Sequence, residues 1–195
     1  MNIVTDCRGH YASLLFMLLL TAAGCALSPQ VVRIHPEIAA PPAGDTATTL
    51  ALEVIDGRDG PVLGRRGGVY EKTATISTSG DISAPIRQSI AAALEDMGYH
   101  VGDEASAPRL QVVITTLEYR VEQNKVTRTV TTHAAVNTAV HKSGKSYTST
   151  YEITRNRKML TAPDSKDNEK LVNETLTAAL QQMLRDEELF ALINE

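Results

Sequence analysis

Tryptophan is absent from the chain, phenylalanine occurs twice and cysteine twice. With so few large rings, the aromatic platforms that commonly stack sugars or bases are scarce. The cysteines are Cys7 and Cys25, and loss of an N-terminal signal carrying the first leaves no intramolecular disulfide, so stability must come from packing. Neither sign of charge dominates: 19 Lys and Arg against 23 Asp and Glu give a net charge of -4. That balance offers no global attraction to nucleic acid or anionic lipid, and no nucleic-acid partner is expected.

Motifs of catalysis are missing as well. The tempting stretch is GRDGPVLGRRGG, where clustered glycines beside Arg58, Arg65 and Arg66 could present N–H groups and charge to an anion. A phosphate loop, however, needs G-x-x-x-x-G-K-[ST], and no Lys-Ser or Lys-Thr follows these glycines. A hairpin connection with solvated arginines is the better reading, with Asp56 and Arg58 as a turn-fixing pair. His133 and His141 share one face of a strand but stand about 26 Å apart, beyond shared metal coordination. His35 and His100 sit in loop contexts beside proline and glycine, and no H-E-x-x-H or Cys-His spacing occurs. Nucleophile motifs such as G-x-S-x-G are also lacking. Acidic neighbours such as Glu95-Asp96 and Asp186-Glu187-Glu188 diverge around a helix and read as solvated faces. No metal, cofactor or catalytic residue is expected, and the chain reads as a non-enzyme.

What the sequence does contain is a short apolar run. Leu14 to Leu20 read LLFMLLL, too short for a hydrocarbon core, which needs about 20 such residues, and suited to the central region of a secretory signal. The run closes on TAAGC, which resembles the lipobox of bacterial lipoproteins, where a peptidase cuts before a cysteine whose thiol carries a diacylglyceryl group. The alternative is a buried apolar helix ending in a chance cysteine, but LLFMLLL lacks the pattern of a core helix. Residues 1–24 are therefore expected to be a signal and Cys25 the lipidated first residue of the mature chain. Two or three acyl chains, at about 0.8 kcal/mol per buried methylene, then anchor it without a spanning helix. By resemblance to the sorting rules of enterobacterial lipoproteins, Ala26 in place of aspartate implies the outer membrane, periplasmic side, over the inner membrane.

From Ala26 to about Thr48 the chain carries Pro29, Pro36, Pro41 and Pro42, which favours extended backbone. Residues 25–48 thus read as the lipidated N-terminus and an extended tether that could hold a domain tens of ångströms from the bilayer. Within it, VVRIHPEI alternates well enough for Val32 and Ile34 to pack on the domain or to add an edge strand. Residues 49–195 suffice for one domain with a real core.

TLALEVIDGRDG alternates Leu50, Leu52 and Val54 and then stops in a turn, which predicts a strand. Val69, Thr73 and Ile76 give a weaker second strand. Ile86, Ile90, Leu94 and Met97 make one face of a helix, with Ser83 to cap it, Pro85 in its first turn and Gly98 as its left-handed stop. In VTRTVTTHAAVNTAVH, Val126, Val130, Ala134, Val136 and Val140 alternate with polar residues. A two-residue turn at Ser143-Gly144 sets Val140 opposite Tyr147 and Val136 opposite Tyr151. A turn at Gln123-Asn124 would set Val121 opposite Val126 and Leu117 opposite Val130. The parity of Leu110, Val112 and Ile114 against Leu117, Tyr119 and Val121 requires a bulge near Thr115-Thr116. Tyr119, Tyr147 and Tyr151 fall on the core side. Leu176, Leu180, Met183 and Leu184 stripe a last helix, with Asp167 as its cap. The order strand, strand, helix, three strands, helix predicts a two-layer α+β fold, an antiparallel sheet with two amphipathic helices on one face.

The lipobox, the extended SPQVVRIHPEI, the strand running into DGRDG and LGRR, the helix IRQSIAAALEDMGYHVG and the strand LQVVITTLEYRV together resemble the YajG family of bacterial lipoproteins. The pattern residues are Asp56, Arg58, Gly64, Gly98 and Tyr99. The resemblance implies an envelope location and no established reaction. The functional expectation is a membrane-anchored, periplasm-facing module that binds an envelope protein. The alternatives are a small-ligand or lipid-binding domain with an apolar pocket between helices and sheet, or an enzyme without a recognisable motif.

Overall fold

A computed structural model describes residues 28–42, 48–67, 74–104 and 106–195. Cys25, the signal, and Val69 and Thr73 of the expected second strand lie outside the described residues. The elements run β1 (Gln30–Val32), β2 (Thr49–Asp56), β3 (Val62–Arg65), β4 (Thr75–Thr78), α1 (Ser83–Asp96), β5 (His100–Val101), β6 (Arg109–Gln123), β7 (Arg128–Lys142), β8 (Lys145–Met159), α2 (Ser165–Leu184) and α3 (Glu187–Asn194). The eight strands form one sheet with three helices packed against it, so the α+β class is as the sequence predicts.

The sheet is mixed and not antiparallel throughout. β2 runs parallel to β5 and β6, β3 to β6, and β1 to β4. The parallel pairs all join strands that are not consecutive in the chain, whereas the consecutive pairs β3–β4, β6–β7 and β7–β8 are antiparallel. β6 is long enough to serve two neighbours along one edge, its residues 109–114 pairing with β2 and Tyr119 with Gly64 of β3. A Cβ on Gly64 would lie 1.8 Å from the Tyr119 carbonyl oxygen, so this approach requires glycine.

β6, β7 and β8 form the expected meander. The Ser143-Gly144 hairpin pairs Val140 with Tyr147, Val136 with Tyr151 and Ala134 with Ile153, and the register slips between Ile114 and Thr116 at the expected bulge. The first turn differs. Val121 pairs with Val130 and Leu117 with Ala134, four residues from the expected register, and Val126 is exposed in a wider loop closed by Asn124 N–H donating to the Thr127 carbonyl. A slip of four preserves parity, so the alternating pattern could not detect it.

The α1 face of Ile86, Ile90, Leu94 and Met97 is buried. Gly98, with φ of 95°, ends the helix in a Schellman pair: its N–H reaches the Glu95 carbonyl and that of Tyr99 the Leu94 carbonyl. Ser83 is not the cap. Asp81 accepts both its backbone N–H and its hydroxyl, tying down the entry to the helix. In α2 the cap is Asp164, which accepts from the Asp167 N–H, so Asp167 lies in the first turn instead. The single last helix of the sequence reading is two helices, because Asp186 caps α3 by accepting from the N–H groups of Glu188 and Leu189.

Of the two roles open to VVRIHPEI, the structure shows both packing and an edge strand. β1 pairs with β4, and Val32 and Ile34 enter the core. Asn173 on α2 grips the segment beyond, accepting from the His35 N–H at 2.8 Å and donating to the Arg33 carbonyl at 2.8 Å.

Candidate functional site

The three helices leave one face of β6, β7 and β8 uncovered. Alternation sends Leu110, Val112, Ile114, Ala134, Val136, Val140 and Tyr151 inward and Gln111, Glu118, Arg120, Thr131, His133, Asn137, Thr148 and Thr150 outward. Two fully buried polar contacts stitch the layers together. Tyr119 donates to Asn168 at 2.6 Å, and Asn168 passes a donor on to Gln30 of β1; Thr132 and Thr175 share a hydrogen bond of 2.6 Å. Burial pushes the Tyr119 hydroxyl pKa up, which keeps it a neutral donor. At the centre of the interlayer space Ile90, Leu94, Ile114, Leu176 and Leu180 are all fully buried.

The outward face is bound to itself by cross-strand polar pairs. Thr150 donates to Asn137 at 3.0 Å, Thr131 to Asn156 at 2.7 Å and Gln111 to Glu53 at 3.0 Å, and along β6 itself Arg120 pairs with Glu118 at 2.7 Å. The side chains are thereby held in place before any partner arrives. A shallow depression of about 520 Å³ lies between Gln111, Val113, Asn137, Ala139, Thr148 and Thr150. A face so polar, open and rich in donors and acceptors suits hydrogen bonding to another surface.

A second concavity of about 580 Å³ runs between the N-terminal segment and α2, with His35, Arg155, Lys166, Glu169, Lys170 and Glu174 on its walls. Its charges offset one another: Arg155 and Lys170 each approach Glu174 to 3.9 Å, and Glu169 accepts from the Arg33 N–H. Among the described residues no cluster of three or more His, Cys, Asp or Glu could hold a metal.

The other sequence candidates are dispersed. His133 and His141 lie on the outward face, paired with Glu118 and Arg109 across the β6–β7 ladder, while His100 is exposed at β5. Arg58 departs from the expected solvated loop. Its side chain is only 5% exposed and grips Asp56 through two bonds of 2.7 and 2.8 Å, with a third to Thr78 at 3.2 Å. These bonds hold the Asp56 carboxyl below the usual carboxylate range. The turn-fixing role is therefore met by a buried fork; the D-x-R spacing after a strand was its sequence signal. Arg65 is exposed, and Arg66 reaches back to the Ser28 carbonyl.

Asp186 also departs from the expected solvated face. Besides capping α3 it accepts from the Tyr147 hydroxyl at 2.9 Å and from that of Tyr151. Burial pushes its pKa up, but hydrogen bonds from Tyr151, the Leu189 N–H, Tyr147 and the Glu188 N–H outweigh this and hold it below the usual range. Glu187 and Glu188 are exposed, as expected.

Comparison with known proteins bears on fold and family. A protein of the DUF330 family from Xanthomonas campestris superposes with a TM-score of 0.50 at 16% identity, over 85% of this chain and 94% of that one. An uncharacterized protein gives 0.50 at 11% identity, over 80% and 99%. A minor lipoprotein from Acinetobacter baumannii gives 0.48 at 14%, over 75% and 93%. No curated protein matches the chain. The model of a family described as an uncharacterized lipoprotein matches residues 36–194, from the segment gripped by Asn173 to the end of α3. With that span matched, and with the YajG-like order of elements in place, the chain belongs to this family of uncharacterized lipoproteins.

Proposed function

We propose that the chain is a lipid-anchored, periplasm-facing envelope protein that acts by binding and not by catalysis, and that its partner is another envelope protein. The observation that carries this reading is the outward face of β6, β7 and β8: three 15-residue strands, polar, internally hydrogen-bonded and left without a helix. In this reading Cys25 is acylated after removal of residues 1–24, and Ala26 directs the protein to the outer membrane. Membership of a lipoprotein family supports the anchor, and among the described residues no helix is long and apolar enough to cross a membrane. With β1 beginning at Gln30, the folded part stands close to the bilayer, within about 20 Å of Cys25 at 3.3–3.6 Å per residue.

Photo-crosslinking in intact cells tests the binding face. Probes at Thr131 and Ala139 should capture one envelope protein, and a probe at Gln182 on α2 should not. Capture from neither face, or equally from both, contradicts the reading. For the anchor, mass spectrometry should find an acylated Cys25 at the mature N-terminus; a start upstream of it, or a bare thiol, contradicts it.

A further inference from the structure

β8 lies at the edge of the sheet, paired along its length with β7 and, among the described residues, with no other strand. The Ser143-Gly144 turn, with φ values of 50° and 80°, fixes which way its backbone groups point. In a two-residue hairpin the residues flanking the turn form a hydrogen-bonded pair, and pairs then alternate. Tyr147, Ser149, Tyr151 and Ile153 therefore direct N–H and C=O groups to β7, and Ser146, Thr148, Thr150 and Glu152 direct theirs outward. Natural edges are guarded by proline, bulges, charges or a covering element. From Ser146 to Tyr151 there is no proline, no charge and no register shift; the guarding charges Glu152, Arg155, Arg157 and Lys158 follow only afterwards.

The unguarded stretch is a palindrome, Tyr147-Thr148-Ser149-Thr150-Tyr151. A two-fold axis through the centre of an antiparallel strand pair sets each residue of such a stretch against its own kind. We propose that β8 pairs antiparallel with β8 of a second copy of this chain, on a two-fold axis at Ser149, joining the two sheets into one. This contact is separate from the outward face assigned to an envelope partner. In this register Tyr147 meets Tyr151, and Thr148 meets Thr150, both favourable cross-strand pairs. Ser146 meets Glu152, and the outward groups complete about eight backbone hydrogen bonds. No like charges meet, since Arg155 falls opposite Ser143 in the second copy's turn. Moving the axis to Glu152 or Arg155 would set that charge against itself. Both tyrosines are already fixed on the helix side by Asp186, so pairing has little side-chain freedom to remove. A strand pair alone buries less than the roughly 1,000 Å² of a stable interface, so the dimer should depend on concentration.

The test uses the full chain with Cys7→Ser and Cys25→Ser. Ser149 faces its copy across a non-hydrogen-bonded position, where Cα atoms lie about 4.5 Å apart, within disulfide reach. Ser149→Cys in this background should oxidise to a covalent dimer. Thr154→Cys should not, because its copies lie about 34 Å apart in this register. Adding Thr150→Pro to Ser149→Cys removes one outward N–H, leaves the β7 ladder intact, and should cut the cross-linked fraction about tenfold at unchanged melting temperature. The proposal is overturned by cross-linking at Thr154→Cys in place of Ser149→Cys, or by a Ser149→Cys dimer that Thr150→Pro leaves untouched. It is equally overturned by no cross-linking from either site together with a monomeric sedimentation mass at every concentration.

Discussion

The inward and outward faces of β6–β8 use the same three strands and the same backbone ladder, yet the chain has built them for different work. Inward, Leu110, Ile114, Val136 and Val140 are completely buried beneath helices and carry the hydrophobic contribution to stability. Outward, Thr131, Asn137, Thr150 and Asn156 hydrogen-bond one another in contact with water, where each bond replaces one to solvent and adds little net stability. The difference teaches that the inner face explains why the chain folds, whereas the outer face has composition and order that folding alone does not require.

Substitutions on the two faces should therefore separate cleanly. The largest effect is expected inside: Leu180→Ala removes a fully buried side chain from the helix layer and should cost about 4 kcal/mol in chemical denaturation. Gly64→Ala should cost about 3 kcal/mol, because the clash is with the Tyr119 backbone and β3 must move away from β6 to relieve it. Hydrogen exchange should show that loss as faster opening of β3 and β4. A melting temperature unchanged by either substitution would break the comparison on its inner side.

Asp186→Ala is intermediate, since it removes the α3 cap and the acceptor of two tyrosines; a loss of about 2 kcal/mol at neutral pH is expected. Its pH dependence follows from sign. The folded carboxyl has a lowered pKa, so its contribution is complete above the unfolded carboxylate pKa and disappears as pH falls through the folded value. Denaturation curves recorded from neutral to acid pH should show a shallower acid limb for Asp186→Ala, with a residual slope from Asp56 and Asp81, which are lowered by their hydrogen bonds from Arg58 and Ser83. The smallest effect is expected outside: Thr131→Val removes the bond to Asn156 and should change stability by no more than about 0.5 kcal/mol.

Much of the inner face was legible in the sequence because periodicity reports burial directly. The α1 stripe, the Ser143-Gly144 hairpin and the bulge at Thr115-Thr116 all follow from which residues must point the same way. Parity is silent about partners, however. Nothing in TLALEVID states that β2 will lie parallel to β6, and a register slip of four residues at the first turn leaves every side chain on its expected face. The break between α2 and α3 was available in principle, since Asp186 followed by Glu187 and Glu188 is a cap with an acidic first turn, but the apolar stripe runs straight across it. Of the surface proposed to bind, the alternation of valine with threonine, histidine and asparagine in β7 was legible. It did not show that β8 is an edge, which is a property of the assembled sheet.

The central claim is that the outer face binds without being needed for folding. The most direct test is to place arginine at Thr131 and Ala139 together, then measure melting temperature and capture of the envelope partner by chemical crosslinking in intact cells. The account predicts a melting temperature within about 2 °C of the wild type and loss of capture. Wild-type capture at wild-type stability would contradict it.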